Sequence, residues 1–201
     1  MGNVWPPKIG TLYLGISKLR KTVKLKKKVM LENFKNGYEV SKKSKIAQGE
    51  KNDCVVRALA NAFNISYNVS HKFVSDEFGR KSKKGTFNTR NTLKSFSRRT
   101  LKFDHEGQLN LFDNSDHKEF KISHIGDQPK DGGKLHNPKY TWTNKVAYTV
   151  KEFAQKYNVG TYVLLVKKHA LTIKDGIVID NPDMKFTGYR RPVKSAFKVS
   201  K

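Results

Sequence analysis

The pair Asp175-Gly176 stands between two apolar runs, His169 to Ile173 and Ile177 to Asp180, and no other feature restricts the fold of this chain so closely. Asp and Gly accept the left-handed backbone of a two-residue hairpin turn, so the two runs are expected to fold back on each other as antiparallel strands. Just upstream, Thr161 to Val166 is apolar and rich in β-branched residues, which suits a buried strand. Before it, Thr149 and Glu152 match a capping box and open a helix to about Tyr157, with Gly160 closing that unit. A second helical region occupies residues 52–63, where Val56, Leu59, Ala60 and Phe63 recur at helical spacing. A third runs from Ser66 to Phe78 and stops at Gly79.

The hairpin brings candidate chemistry together. With a two-residue turn, Leu171 lies opposite Asp180, and His169 shares a face with Leu171. Asp180 is then the diagonal neighbour of His169 on the same face. With a three-residue loop over 174–176, His169 faces Asn181 instead. Asp180 is the preferred partner and Asn181 the alternative. A carboxylate or amide in that position holds the imidazole in one tautomer. His169 alone among the six histidines sits in a strongly apolar, strand-like context.

Cys54 is the sole cysteine, so neither an internal disulfide nor a thiolate-rich zinc site is available. Most lone cysteines are small packing residues. This one follows Asn52 and Asp53, either of which suits an N-cap, and falls in the first turn of the 52–63 helix. There the unpaired backbone N–H groups and the positive end of the helix dipole favour a thiolate. Gln48, six residues earlier, supplies an amide that with the Cys54 N–H can receive an oxyanion.

The segment from Gln48 through Asp53 and Cys54 to Ala60 resembles the nucleophile region of papain-like cysteine peptidases, closest to the C39-like type. The run Asn52 to Ala58 is similar to the start of small papain-like proteins encoded by bacteriophages. The blocks from Thr149 to Leu164 and from His169 to Asp180 resemble the same proteins. The likeness covers about residues 48–78 and 148–182. It implies an α+β fold, with an N-terminal Cys-bearing helix packed on an antiparallel sheet carrying His and Asp, and thiol hydrolysis of a peptide, isopeptide or related amide. It assigns Cys54 as nucleophile, His169 as base, Asp180 as orienting residue and Gln48 as oxyanion donor, with no metal or cofactor. Amidase and acyl-transferase chemistry share that acyl-thioester step. The family also implies a bacterial host cytoplasm or a virion as the setting. Lys168 departs from the Gly often found before the His.

Charge sets the remaining expectations. Lys and Arg number 41 against 17 acids, giving +24. Such an excess attracts polyanions. Residues 1–47 read as a basic arm, with short strands over 11–16 and 22–29. Lysine clusters at Lys24, Lys26, Lys27 and Lys28, and at Lys42, Lys43 and Lys45, are candidate contacts for nucleic acid or for other viral proteins. Residues 48–201 form the hydrolase domain, with a variable, partly exposed insertion at about 80–145 that contains turns at 130–134 and 137–138 and a helical stretch from Asn91 to Phe96. Apolar residues are 36% of the chain, yet 12 Phe and 8 Tyr suffice to seed a core. No apolar run of about eighteen residues predicts a membrane span, and Met1 to Pro6 lack the apolar block of a signal peptide. A catalytically silent, nucleic-acid-associated or virion protein on the same fold is the competing expectation.

Overall fold

The structure, a computed structural model, describes residues 33–97, 99–103, 118–127, 148–184 and 188–201. Strand β1 (Phe34–Asn36) comes first, then helices α1 (Lys45–Gly49), α2 (Cys54–Phe63), α3 (Tyr67–Phe78) and α4 (Thr89–Phe96). Strands β2 (Thr100–Phe103) and β3 (Lys118–Asp127) precede helix α5 (Val150–Lys156). Strands β4 (Thr161–Val166), β5 (His169–Lys174), β6 (Ile177–Asp180) and β7 (Ser195–Ser200) follow. The fold is mixed α+β.

Local chemistry explains most of these boundaries. Asp175 and Gly176 take φ of 49° and 73°, the left-handed pair that a two-residue hairpin requires. The Thr149–Glu152 capping box forms at the start of α5. Ser66 caps α3 by accepting from the Val69 N–H at 3.3 Å, and Gly79 ends that helix at φ 61°. Asn64, at φ 52°, ends α2; short polar side chains tolerate this conformation where others do not.

The seven strands form one sheet in the order β1-β6-β5-β4-β7-β3-β2. Every neighbouring pair is antiparallel except β1 with β6, which is parallel. The expected all-antiparallel sheet is therefore mixed. The exception comes from the segment read as an arm: Phe34, Lys35 and Asn36 pair with Val178, Ile179 and Asp180. Three residues are too short for alternation to announce a strand. The compact unit begins at Phe34, so residues 34–47 belong to it and not to the arm expected over 1–47. Lys24, Lys26, Lys27 and Lys28, the strands expected over 11–16 and 22–29, and the turns at 130–134 and 137–138 lie outside the described residues.

The segment 80–145 also differs from its reading as a variable insertion. It supplies α4, β2 and β3, and Leu93, Phe96, Leu101, Phe103, Phe120 and Ile122 are buried. Phe63 of α2 meets Phe120 and Phe103 at ring-centroid distances of 5.0 and 5.2 Å. The same hydrophobic cluster reaches Val163, Ala170, Phe197 and Val199 of the sheet. β7 lies inside the sheet between β4 and β3. On the alternate side of β4, Tyr162 packs edge-on against Phe153 of α5. Burying side chains such as Leu59 and Phe63 is worth about 1.5–3 kcal/mol each, which holds α2 against the sheet. No helix of the described residues is long and apolar enough to cross a membrane.

One polar bond sets the position of α2 along β5. The buried Thr172 hydroxyl donates to the Ala58 carbonyl at 2.6 Å. Thr172→Val is expected to cost about 1 kcal/mol, the net worth of such a bond. Urea unfolding measures this, and an unchanged midpoint would show that the bond contributes nothing.

Candidate active site

Cys54 is the first residue of α2, and its thiol is free and partly buried. Asp53 occupies the N-cap position, yet its side chain caps no N–H of the helix. It turns aside to accept from Arg57 Nε at 2.9 Å and from the Tyr67 hydroxyl at 2.6 Å. Arg57 also donates to Ser41 Oγ at 2.6 Å and lies 3.8 Å over the Tyr38 ring. Burial, and then the bond to Asp53, push the Tyr67 hydroxyl far above the ordinary tyrosine range, so it remains a donor. The start of α2 thus carries no side-chain cap, leaving the positive end of its dipole beside the thiol.

His169 opens β5 and Asp180 closes β6. The pairs Thr172 with Ile179, Ile173 with Val178 and Lys174 with Ile177 fix the two-residue turn register. Continuing by one pair sets Leu171 opposite Asp180, so Asp180 is the diagonal neighbour of His169. His169 Nε2 and Asp180 Oδ1 lie 2.7 Å apart. The Cys54 thiol lines the same cleft as this ring and is close enough to influence its protonation. Burial alone lowers the His169 pKa, but the bond to Asp180, the neighbouring Cys54 and the charge of Asp180 outweigh it and raise it to about 9. The ring is therefore an imidazolium at neutral pH. Asn181 contributes through its backbone: its N–H donates to Asp180 Oδ1 at 2.7 Å. Its side-chain oxygen accepts from the Asp183 N–H at 3.0 Å and serves the following turn.

Asp180 is steadied from the opposite side by Gly37. The Gly37 N–H donates to the Asp180 carbonyl at 2.7 Å. A Cβ at Gly37 would lie 3.1–3.2 Å from the Asp180 backbone, tighter than ordinary contact. Gly37→Ala is expected to displace Asp180 by a few tenths of an ångström and to destabilise by about 1–3 kcal/mol. The weakened bond to Asp180 should also bring the His169 pKa down from about 9 toward 6.5. Following the ring protons by NMR across pH checks this; an unmoved His169 titration would exclude the displacement.

Cys54, His169 and Asp180 all line one cleft of about 640 Å³. Gln48 does not: it is exposed on α1 and outside the cleft wall. The chain turns between Gln48 and Cys54, where Glu50 is anchored to Arg80 Nη2 and to the Lys83 N–H, each at 2.7 Å. Asn52, two residues before Cys54, does line the cleft, and its amide nitrogen donates to the Lys83 carbonyl at 3.4 Å. Lys42 pairs with Glu39 at 2.7 Å on the surface, Lys43 and Lys45 are exposed, and none of the three lines the cleft.

Sequence reasoning missed the residues around the nucleophile. Asp53 and Arg57, four apart on a helix, carried a readable pairing signal. Tyr67, and Arg80 thirty residues from Glu50, carried none, because their contacts depend on how helices and loops pack. No family model matches the chain, and neither a curated protein nor a solved structure matches it.

Proposed function

We propose that the chain is a papain-like cysteine hydrolase that cleaves a peptide, isopeptide or related amide. One observation carries this reading: a thiol at the first position of a helix shares a cleft wall with an imidazole whose Nε2 is held at 2.7 Å by a buried carboxylate. Nucleophile, base and orienting group stand in the order that thiol chemistry requires. A cleft open to these groups supports it further.

In this mechanism the Cys54 thiolate attacks the substrate carbonyl carbon, and the oxyanion draws hydrogen bonds from the Cys54 N–H and the Asn52 amide. The C–N bond breaks as the His169 imidazolium passes its proton to the leaving amine. Neutral His169 then takes a proton from water, which attacks the thioester; the C–S bond breaks, the acid leaves, and thiolate and imidazolium are restored. Asp180 keeps the ring oriented throughout and does not itself transfer a proton. The resemblance of the Asn52 to Ala58 run to bacteriophage proteins supports a bacterial host or a virion as the setting.

Alkylation with iodoacetamide at pH 6 tests the reading, with intact-mass detection at Cys54. The folded chain is expected to react at least about tenfold faster than the urea-unfolded chain, because only the thiolate is nucleophilic. Equal or slower reaction would refute the proposal. The +24 charge favours a second reading, a catalytically silent nucleic-acid-associated protein on this fold. Salt-sensitive DNA or RNA binding that survives Cys54→Ala, in a chain with an unreactive thiol, would select it.

A further inference from the structure

We propose that the cleft selects an acidic peptide, with Lys168 and Arg191 holding carboxylates beside the scissile bond; this deepens the hydrolase reading above and rests on it. The inference follows from the charges on the cleft wall. Two acids line it, and both are already engaged: Asp53 with Arg57 at 2.9 Å, and Asp180 with His169 at 2.7 Å. Arg57 is consumed by Asp53 and the imidazolium by Asp180. Lys168 and Arg191 remain, and neither has an acidic partner among the described residues. Among the described residues, and with the Cys54 thiolate counted, the cleft wall therefore carries a net positive charge, and Lys168 and Arg191 are its cations without an acidic partner.

The backbone adds an independent observation. Lys168 occupies the second position of the two-residue turn between β4 and β5, at φ 58°. That conformation favours glycine, and a long side chain there costs about 1 kcal/mol. Such strain collects at functional sites. Here it sets an exposed ammonium next to His169, on the cleft wall. Arg191, partly buried, is held through its backbone, whose carbonyl accepts from the Val150 N–H at 3.0 Å, and its guanidinium has no acidic partner among the described residues. A guanidinium and an ammonium on one wall suit a run of two carboxylates, one held as a planar fork and one as a point charge.

A nucleic acid would also answer to positive charge, and Phe87, 81% exposed on the same wall, offers a stacking face. The nucleophile decides for a peptide, since a thiolate attacks acyl carbon and the mechanism has no step for a phosphodiester.

The experiment compares two alkylating agents of similar size, anionic iodoacetate and neutral iodoacetamide, on Cys54 of the full chain at one pH and salt concentration. Their rate ratio reads the charge around the sulfur and cancels changes in thiolate content. Lys168→Glu or Arg191→Glu should each lower the iodoacetate-to-iodoacetamide ratio about threefold, and the double variant about tenfold, as expected for reversing a charge on the wall of a solvated cleft. The Lys168→Gln and Arg191→Gln variants should fall between. A Glu-rich peptide should protect Cys54 from iodoacetamide at a lower concentration than its Lys-rich counterpart, and this preference should reverse in the double variant. A ratio that is unchanged across the variants, while iodoacetamide still reacts fast, overturns this proposal and leaves the hydrolase reading standing. Protection by a single-stranded oligonucleotide but not by the Glu-rich peptide also overturns it. Reaction with iodoacetamide no faster in the folded than in the unfolded chain removes both.

Discussion

Replacing His169 with alanine is expected to lower peptide-bond cleavage by about 10²–10⁴-fold, the share that a positioned acid and base contribute. Alkylation of Cys54 at pH 6 should fall toward the rate of the unfolded chain in the same variant. The reason lies in the ring's protonation. Burial lowers its pKa, but the bond to Asp180 and the neighbouring Cys54 outweigh it and raise the pKa from the usual 6.5 to about 9. Through the neutral range it is therefore a cation able to stabilise a thiolate and to protonate a leaving amine. Turnover in the wild-type chain should persist across that range and decline as pH rises through about 9, where the ring loses its proton. Stability moves in the same direction. A raised folded-state pKa stabilises the protein fully below about 6.5, and the contribution fades as pH rises through about 9. The difference in unfolding free energy between wild type and His169→Ala should shrink over that window. A variant that keeps wild-type cleavage, or a wild-type pH profile flat to pH 10, would exclude His169 as the base.

Removing the guanidinium in Arg80→Ala is expected to destabilise the fold by about 3–5 kcal/mol, because it strands a buried carboxylate. The Arg80 side chain is fully enclosed, and Glu50 is 5% exposed. Glu50 accepts from Arg80 Nη2 at 2.7 Å, from the Lys83 N–H at 2.7 Å and from Ser82 Oγ at 2.9 Å. Burial pushes its pKa up, but these donors, led by Arg80, prevail and hold it at about 2. Arg80 also donates to the Lys51 carbonyl at 3.1 Å, so one side chain ties the 79–84 loop to the segment that leads into Cys54. For a unit of this size such a loss lowers the unfolding temperature by roughly 10 °C or more, and calorimetry measures it. Exchanging both partners, as Glu50→Gln with Arg80→Met, should cost less than Arg80→Ala alone, because no lone charge is left buried. The acid limb follows from the lowered pKa. The stabilisation is complete above about 4.5 and is lost as pH falls through about 2. An Arg80→Ala chain as stable as wild type at pH 7 would refute this account.

Local signals in the chain made the hairpin legible. Asp175 and Gly176 name their turn, and that turn sets the register of His169 and Asp180 by arithmetic alone. Thr149 with Glu152, Ser66 and Gly79 marked helix ends by side-chain chemistry. The apolar spacing of Val56, Leu59 and Phe63 marked the buried face of α2. Other features had no local signature. β1 offers three residues, and its parallel pairing with β6 joins positions more than 140 apart. β2 alternates buried and exposed residues over only four positions within a cationic stretch. Gln48 has the right sequence distance from Cys54, yet the turn anchored by Glu50 leaves it off the cleft wall.

Turns, caps and amphipathic helices are short-range contests between backbone and nearby side chains, so the order of residues decided them unaided. The meeting of the Cys54 thiol with the His169 ring was decided elsewhere: by the Thr172 hydroxyl on the Ala58 carbonyl, the close approach of Gly37 to Asp180, and the apolar cluster that presses α2 onto the sheet. Those contacts join residues distant along the chain, and their energies exist only once the folded body has excluded water and brought the partners within a few ångströms of each other.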